Sequence, residues 1–254
     1  MLRSRIIPVL LMSDGGLVKT QKFKDAKYVG DPLNAVKIFN EKQVDELTFL
    51  DIDASVLGRE PDFTRLRGIA VESRMPLCYG GGVTSAAQAT RLIGLGFEKV
   101  SVSSAALARP QLIAEIADAV GRQSVVVTLD VKKNAIFGGY SLHTHNGKTK
   151  QKSSLQDFCQ QAGELGAGEI VINNIDRDGM MNGYDLDLAR QVRGLVQCPL
   201  SFVGGAGSVE DLQALIDAVG VVGAAAGSLF VFKGQYRAVL INYQKPANLF
   251  GASH

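Results

Sequence analysis

Cysteine and histidine are scarce in this chain, with three of each in 254 residues. Cys78, Cys159 and Cys198 lie far apart with no metal-type spacing. An odd, scattered set excludes a disulfide framework and fits a reducing, cytoplasmic setting. With His254 terminal, His143 and His145 are poor material for a metal site, and neither metal nor cofactor is expected. Their spacing puts both on one side of a strand, so Tyr140–Gln151 reads as a surface hairpin. Net charge is low as well, at +2, which excludes a nucleic-acid partner held by charge alone. No apolar run reaches the length of a membrane span. The opening MLRSRIIPVLLMSDGG is basic and then apolar, but too short for a signal and without a small-residue cleavage site. It reads as a first strand.

What the chain does have is alternation. Short β-rich runs recur at 5–11, 46–52, 76–80, 98–104, 124–130, 169–175, 200–205 and 221–227. Helical stretches lie between them, for example 31–42, 85–96 and 208–220. Asp31 followed by Pro32, and then Ser85 and Ser208, supply the capping chemistry that starts a helix. Eight strands alternating with eight helices in this length predict a single (β/α)8 barrel over 1–254. A doubly wound open sheet is the competing fold, weakened because no GxGxxG follows the first strand.

The chain also repeats itself. FLDIDAS echoes INNIDRDG, YGGGVTS echoes VGGAGSV, and VSSAAL echoes AAGSLF. Asp51 and Asp176 are 125 apart, Gly81 and Gly205 124, and Ser104 and Ser228 124. One offset across three motifs predicts two related half-barrels, about 1–122 and 123–254. The same relation pairs the strand ending at Leu11 with the one ending at Asp130. One half carries an acid there and the other a leucine.

Gly81 and Gly82 in one half, and Gly204 and Gly205 in the other, end strands just before capped helices. Such turns let backbone amides approach an anion at a helix N-terminus. Ser103 and Ser104, and Gly227 and Ser228, lie one βα unit later and complete each cradle. Glycines there also serve plain tight turns, but two matched copies favour phosphate, and two sites imply a ligand with a phosphate at each end. Asp130 stands at the C-terminal end of its strand, the face on which barrels carry chemistry. Asp51 and Asp176 hold similar ends, where ordering a loop is an equal alternative to proton transfer. Lys19, in a long first loop with Lys22, Lys24 and Lys27, is placed to reach phosphate, although a solvated basic lid would read the same way.

A second constellation lies at the opposite end. Arg5, Glu46, Lys99 and Glu169 each precede or open a strand, and parity points all four at the barrel floor. Barrel physics alone reads this as a salt-bridged plug. Above it, the inward positions Val9, Thr48, Ser101 and Thr128 suggest a narrow, polar-lined passage.

Together these residues resemble the cyclase subunit of imidazole glycerol phosphate synthase. The likeness runs nearly end to end, through RIIPVL, DELTFLDIDAS, GGGV, VVVTLDVKK, GEIVINNIDRDGMMNGYD, GGAG and AGSLF. The resemblance implies a barrel that receives ammonia from a glutaminase subunit docked at its floor, around Glu98 and the strand N-termini. It implies delivery to a bisphosphate nucleotide at the mouth, and it makes Arg5, Glu46, Lys99 and Glu169 the ammonia entrance. Lys19, Asp51, Gly82, Asp130, Asp176, Gly204, Gly205 and Ser228 match its mouth. The departures cluster there too. Leu11 stands where the family has a catalytic aspartate, Ser103 where it has a substrate-holding asparagine, and Val203 where it has a serine. Leu11 fits a paralogous branch tied to surface-polysaccharide synthesis, which this chain resembles. That branch implies ammonia supply to a separate sugar amidotransferase, with ring closure weak or absent. A true cyclase, using Asp130 with Asp51 or Asp176, and a non-catalytic phosphate-binding regulator of a glutaminase are the rival expectations.

Overall fold

The computed structural model describes residues 3–134 and 138–250. Eight parallel strands form its centre: β1 (Arg5–Ser13), β2 (Leu47–Asp51), β3 (Leu77–Gly80), β4 (Lys99–Val102), β5 (Val125–Lys133), β6 (Glu169–Asn174), β7 (Leu200–Val203) and β8 (Gly223–Ala226). β1 pairs with β2 on one side and with β8 on the other, which closes the sheet into a barrel. Closure removes the sheet edges. The fold is the expected (β/α)8 barrel.

Helices α1 (Pro32–Glu41), α2 (Phe63–Glu72), α3 (Ala86–Leu95), α4 (Gln111–Val120), α5 (Leu155–Glu164), α6 (Leu186–Arg193) and α7 (Val209–Val219) wrap the outside. Their starts follow the cap chemistry. Asp31 accepts from the Asn34 N–H at 3.0 Å, Ser85 from Gln88 at 3.3 Å, and Ser208 forms a reciprocal capping box with Asp211. The eighth helix departs from expectation. After β8 there is a four-residue turn of helix, Ser228–Val231, and then a two-stranded ribbon, Phe232–Lys233 with Ala238–Val239. The tail is tied back by Leu240 N–H to Val231 O and Asn242 N–H to Phe230 O.

The alternation of each strand sorts its side chains into two cores. Ile6, Leu10, Phe49, Val100, Val127 and Leu129 pack outward against the helices in the main core. Ile7, Val9, Val203 and Ala225 form a smaller inner core, with Leu11, Leu50 and Val171 packed on it.

Two hairpins leave the barrel at equivalent places. The segment expected as a basic loop is instead a ribbon, Gly16–Gln21 with Lys24–Gly30, that continues the β1 ladder with Leu11 opposite Val18. After β5, the strands Tyr140–Thr144 and Thr149–Ser154 form the expected hairpin, with Asp130 opposite His143. It is less of a surface feature than expected, since Leu142 and His143 are buried. His145 leaves the strand in the turn at φ 52°, so the two histidines do not share a strand face.

Candidate functional site

The C-terminal ends of the strands open onto a cavity of about 610 Å³. Gly81, Gly82, Ser103 and Ser104 line it from the first half, and Gly204, Gly205, Gly227 and Ser228 from the second. Lys19, Asp51, Asp130 and Leu11 also face it. The repeat read from the sequence therefore converges on one mouth.

Sterics explain the turn glycines. Gly81 sits at φ 120°, and a Cβ there would lie 2.4 Å from the Asp51 carbonyl oxygen. Gly205 sits at φ 117°, and its Cβ would lie 2.1 Å from the Gly183 carbonyl oxygen. No side chain fits at either position. The same turns leave the mouth lined by backbone, the arrangement that suits an anion. The Ser103 hydroxyl oxygen is buried without a hydrogen-bond partner among the described residues. A buried polar atom left in that state at a cavity wall is suited to a ligand.

Asp130 accepts from Asn173 Nδ2 at 2.8 Å. Loss of water around its carboxyl outweighs this bond, and with a smaller push from Asp178 the pKa rises to about 7. A carboxyl in that range can hold or release a proton at neutral pH. Leu11 lies on the inner apolar core at the same mouth, beside Leu50 and Val9. Val203 belongs to that apolar floor as well.

Asp51 orders the loop that follows its strand. Its Oδ1 accepts from the N–H groups of Asp53 and Ala54, each at 3.0 Å. Asp176 does not take the place that the repeat assigned to it. Its carboxylate accepts from the Lys133 N–H at 2.9 Å and lies outside the cavity lining. Asp178, two residues on, lines the mouth instead. It accepts from Thr20 Oγ1 at 2.6 Å and from the Phe23 N–H at 3.1 Å, which holds the first hairpin against the barrel. Lys19 is consequently not a solvated lid residue. It is 5 % exposed, donates to the Val9 carbonyl and lies against Gly227. Burial lowers its pKa to about 8, against the opposing pull of Asp178. Asp178, Asn173 and His145 are mouth residues that the sequence reading missed. The second acid of IDRDG was the available signal for Asp178, but the repeat pointed to the first.

The floor forms a closed ring. Arg5 bridges Glu46 and, at 2.7 Å, Glu169. Lys99 bridges Glu46 at 2.7 Å and Glu169 at 2.8 Å. Ser201 Oγ donates to Glu169. Burial opposes charge on Arg5, Lys99 and Glu169, but opposite neighbours outweigh it. Arg5 and Lys99 are held above their usual pKa values and Glu169 below its own. Above the ring is a cavity of about 20 Å³, room for roughly one water-sized molecule. Val9, Thr48, Ser101 and Thr128 line it as parity required. The wall is mostly aliphatic rather than polar, with Ile7, Leu50, Val126, Val171, Val203 and Ala225 present. Ser101 and Thr128 hydrogen-bond to each other at 2.7 Å, which spends one of the two hydroxyl protons that parity made look available.

No described helix is long and apolar enough to cross a membrane, and no described cluster of three His, Cys, Asp or Glu could hold a metal. Fold and mouth together define a (β/α)8-barrel protein whose two halves each bring a glycine turn to one cavity at the C-terminal face. The chain belongs to the histidine biosynthesis protein family, whose model matches residues 5–237, and within it to the HisF-like group. It is 59% identical over 247 residues to a Vibrio vulnificus protein named "Putative imidazole glycerol phosphate synthase subunit hisF3", covering 97% of this chain and 95% of that one. It is 50% identical to a Pseudomonas aeruginosa protein with the same name ending in hisF2, covering 96% of each. It is 42% identical to the imidazole glycerol phosphate synthase subunit HisF of Leifsonia xyli, covering 85% of this chain and 87% of that one.

Proposed function

We propose that this chain is the barrel subunit of a glutaminase-coupled complex and conducts ammonia for a partner enzyme, with its own ring-closing chemistry idle. The glutaminase docks on the floor around Glu98 and the strand N-termini. Ammonia enters through Arg5, Glu46, Lys99 and Glu169, passes the small aliphatic cavity and leaves at the mouth. The ring is closed by four ion pairs at rest, so passage requires one of them to open. An aliphatic wall favours neutral ammonia over ammonium, because an unpaired ion there loses its hydration. The two glycine turns with Lys19 hold a phosphorylated small molecule. The acceptor is a sugar amidotransferase of surface-polysaccharide synthesis.

The observation that carries this reading is Leu11. It lies on the inner apolar core at the same mouth as Asp130, and a leucine cannot transfer a proton. Loss of one acid–base group costs on the order of 10²–10⁴ in rate. The numbered names of the relatives at 59% and 50% identity, hisF3 and hisF2, also support a side branch. A second reading, the true cyclase of histidine biosynthesis, is favoured by one observation: the Asp130 carboxyl, raised to about 7, remains fit for proton transfer. Cyclase turnover by the purified chain, with the family's nucleotide substrate and excess ammonium salt at mildly alkaline pH, separates the two. Free ammonia removes the need for a partner. No turnover by the natural chain, with activity in Leu11→Asp, is the expected result. Ready turnover by the natural chain refutes the idle mouth and establishes the cyclase.

A further inference from the structure

The two hairpins meet over the mouth. A Cβ placed on Gly147, at the tip of the second, would lie 3.4 Å from the Phe23 ring at the tip of the first and 3.4 Å from Ile175 Cδ1. Asn146 Nδ2 donates to the Ile52 carbonyl at 2.9 Å. The second turn therefore reaches from the end of β2, in the first half, to the end of β6, in the other. His145 and Asn146 of that turn line the same cavity as both glycine turns.

His145 lies in that turn and lines the cavity. Its φ of 52° and that of Asn146, 56°, are left-handed, a conformation uncommon for residues that carry a side chain. The surroundings hold it there. The Thr144 hydroxyl accepts from Gln151 Nε2 at 2.8 Å and lies 3.0 Å from His145 Nδ1. That hydroxyl keeps its own proton free to donate to Nδ1. The neutral imidazole then carries its N–H on Nε2, which makes that nitrogen a donor.

We infer that His145 recognises the ligand of the mouth, its Nε2–H donating to an oxygen in the polar middle of a molecule with an anionic group at each end. The inference rests on the phosphate reading of the glycine turns. Three histidines in the chain make the test tractable by nuclear magnetic resonance of their ring signals. Fructose 1,6-bisphosphate is the probe, and inorganic phosphate, which has no middle, is the control. His145→Asn assigns the signal, and asparagine tolerates the left-handed backbone. The bisphosphate is expected to shift the His145 ring signal in the natural chain. Its calorimetric affinity is expected to fall about tenfold in His145→Asn, the scale of one lost hydrogen bond, while inorganic phosphate binds both chains alike. Bisphosphate binding with the His145 signal unmoved overturns the inference and leaves the phosphate reading standing. Failure of the natural chain to bind either probe overturns both.

Discussion

Replacing Glu169 by glutamine tests how the floor of the barrel is held. The carboxylate is 3 % exposed and accepts from Arg5 at 2.7 Å, from Lys99 at 2.8 Å and from Ser201. Glu169→Gln keeps the shape and removes one negative charge. Two cations then share the single carboxylate of Glu46. Breaking a buried pair from one side costs about 3–5 kcal/mol. The side chains of Arg5 and Lys99 remain 27 % and 17 % exposed, so water repays part of this and about 3 kcal/mol is expected. With an m value of about 3 kcal/mol per molar in urea, the unfolding midpoint falls by about 1 M. The pH dependence gives a second check. The folded pKa of Glu169 lies below its unfolded value near 4.5. Its contribution is complete above that pH and is lost as pH falls through the folded value. The gap between natural chain and variant therefore closes in acid and stays constant from pH 6 to 8. Adding Lys99→Met removes the surplus cation, and the double variant loses less than the sum of the singles. An unchanged midpoint, or a gap that persists in acid, refutes the reasoning.

Asp178→Ala removes the acceptor of Thr20 Oγ1 and the Phe23 N–H. Trypsin cleavage at Lys22, Lys24 or Lys27 is expected to speed up at least fivefold, from the roughly 1–3 kcal/mol of an unpaired donor; an unchanged rate means that the hairpin is held by its ladder alone. Lys19, with its pKa lowered to about 8, loses charge as pH rises from 7 to 9. Inorganic phosphate affinity measured by calorimetry should weaken more steeply over that window in the natural chain than in Lys19→Met, and parallel profiles would remove Lys19 from the site. Gly205→Ala drives a Cβ to 2.1 Å from the Gly183 carbonyl oxygen at φ 117°. A loss of about 3 kcal/mol or more is expected, seen as a melting temperature lower by roughly 6–12 °C; a shift under 2 °C would mean that the turn relaxes freely.

The sequence by itself determined the barrel, the cap positions and the membership of the floor ring. These follow from local rules. A strand alternates its side chains with period two, and Arg5, Glu46, Lys99 and Glu169 inherit their direction from that. A serine or aspartate before an apolar period starts a helix wherever the chain runs. The repeat offset likewise placed both glycine turns at one mouth. Tertiary structure decided what depends on partners distant in the chain. Asp176 and Asp178 are equivalent as letters. Only the Lys133 N–H, 43 residues from the first, and Thr20, 158 residues from the second, sort one to the rim and the other to the mouth. Residues 16–30 look like a solvated basic loop until their pairing with β1 and the Asp178 contact bury Lys19. His145 gains its place over the mouth from the Asn146 bond to Ile52, 94 residues away. Such contacts join groups whose spacing carries no period, so nothing in the local pattern marks them, and packing alone selects them.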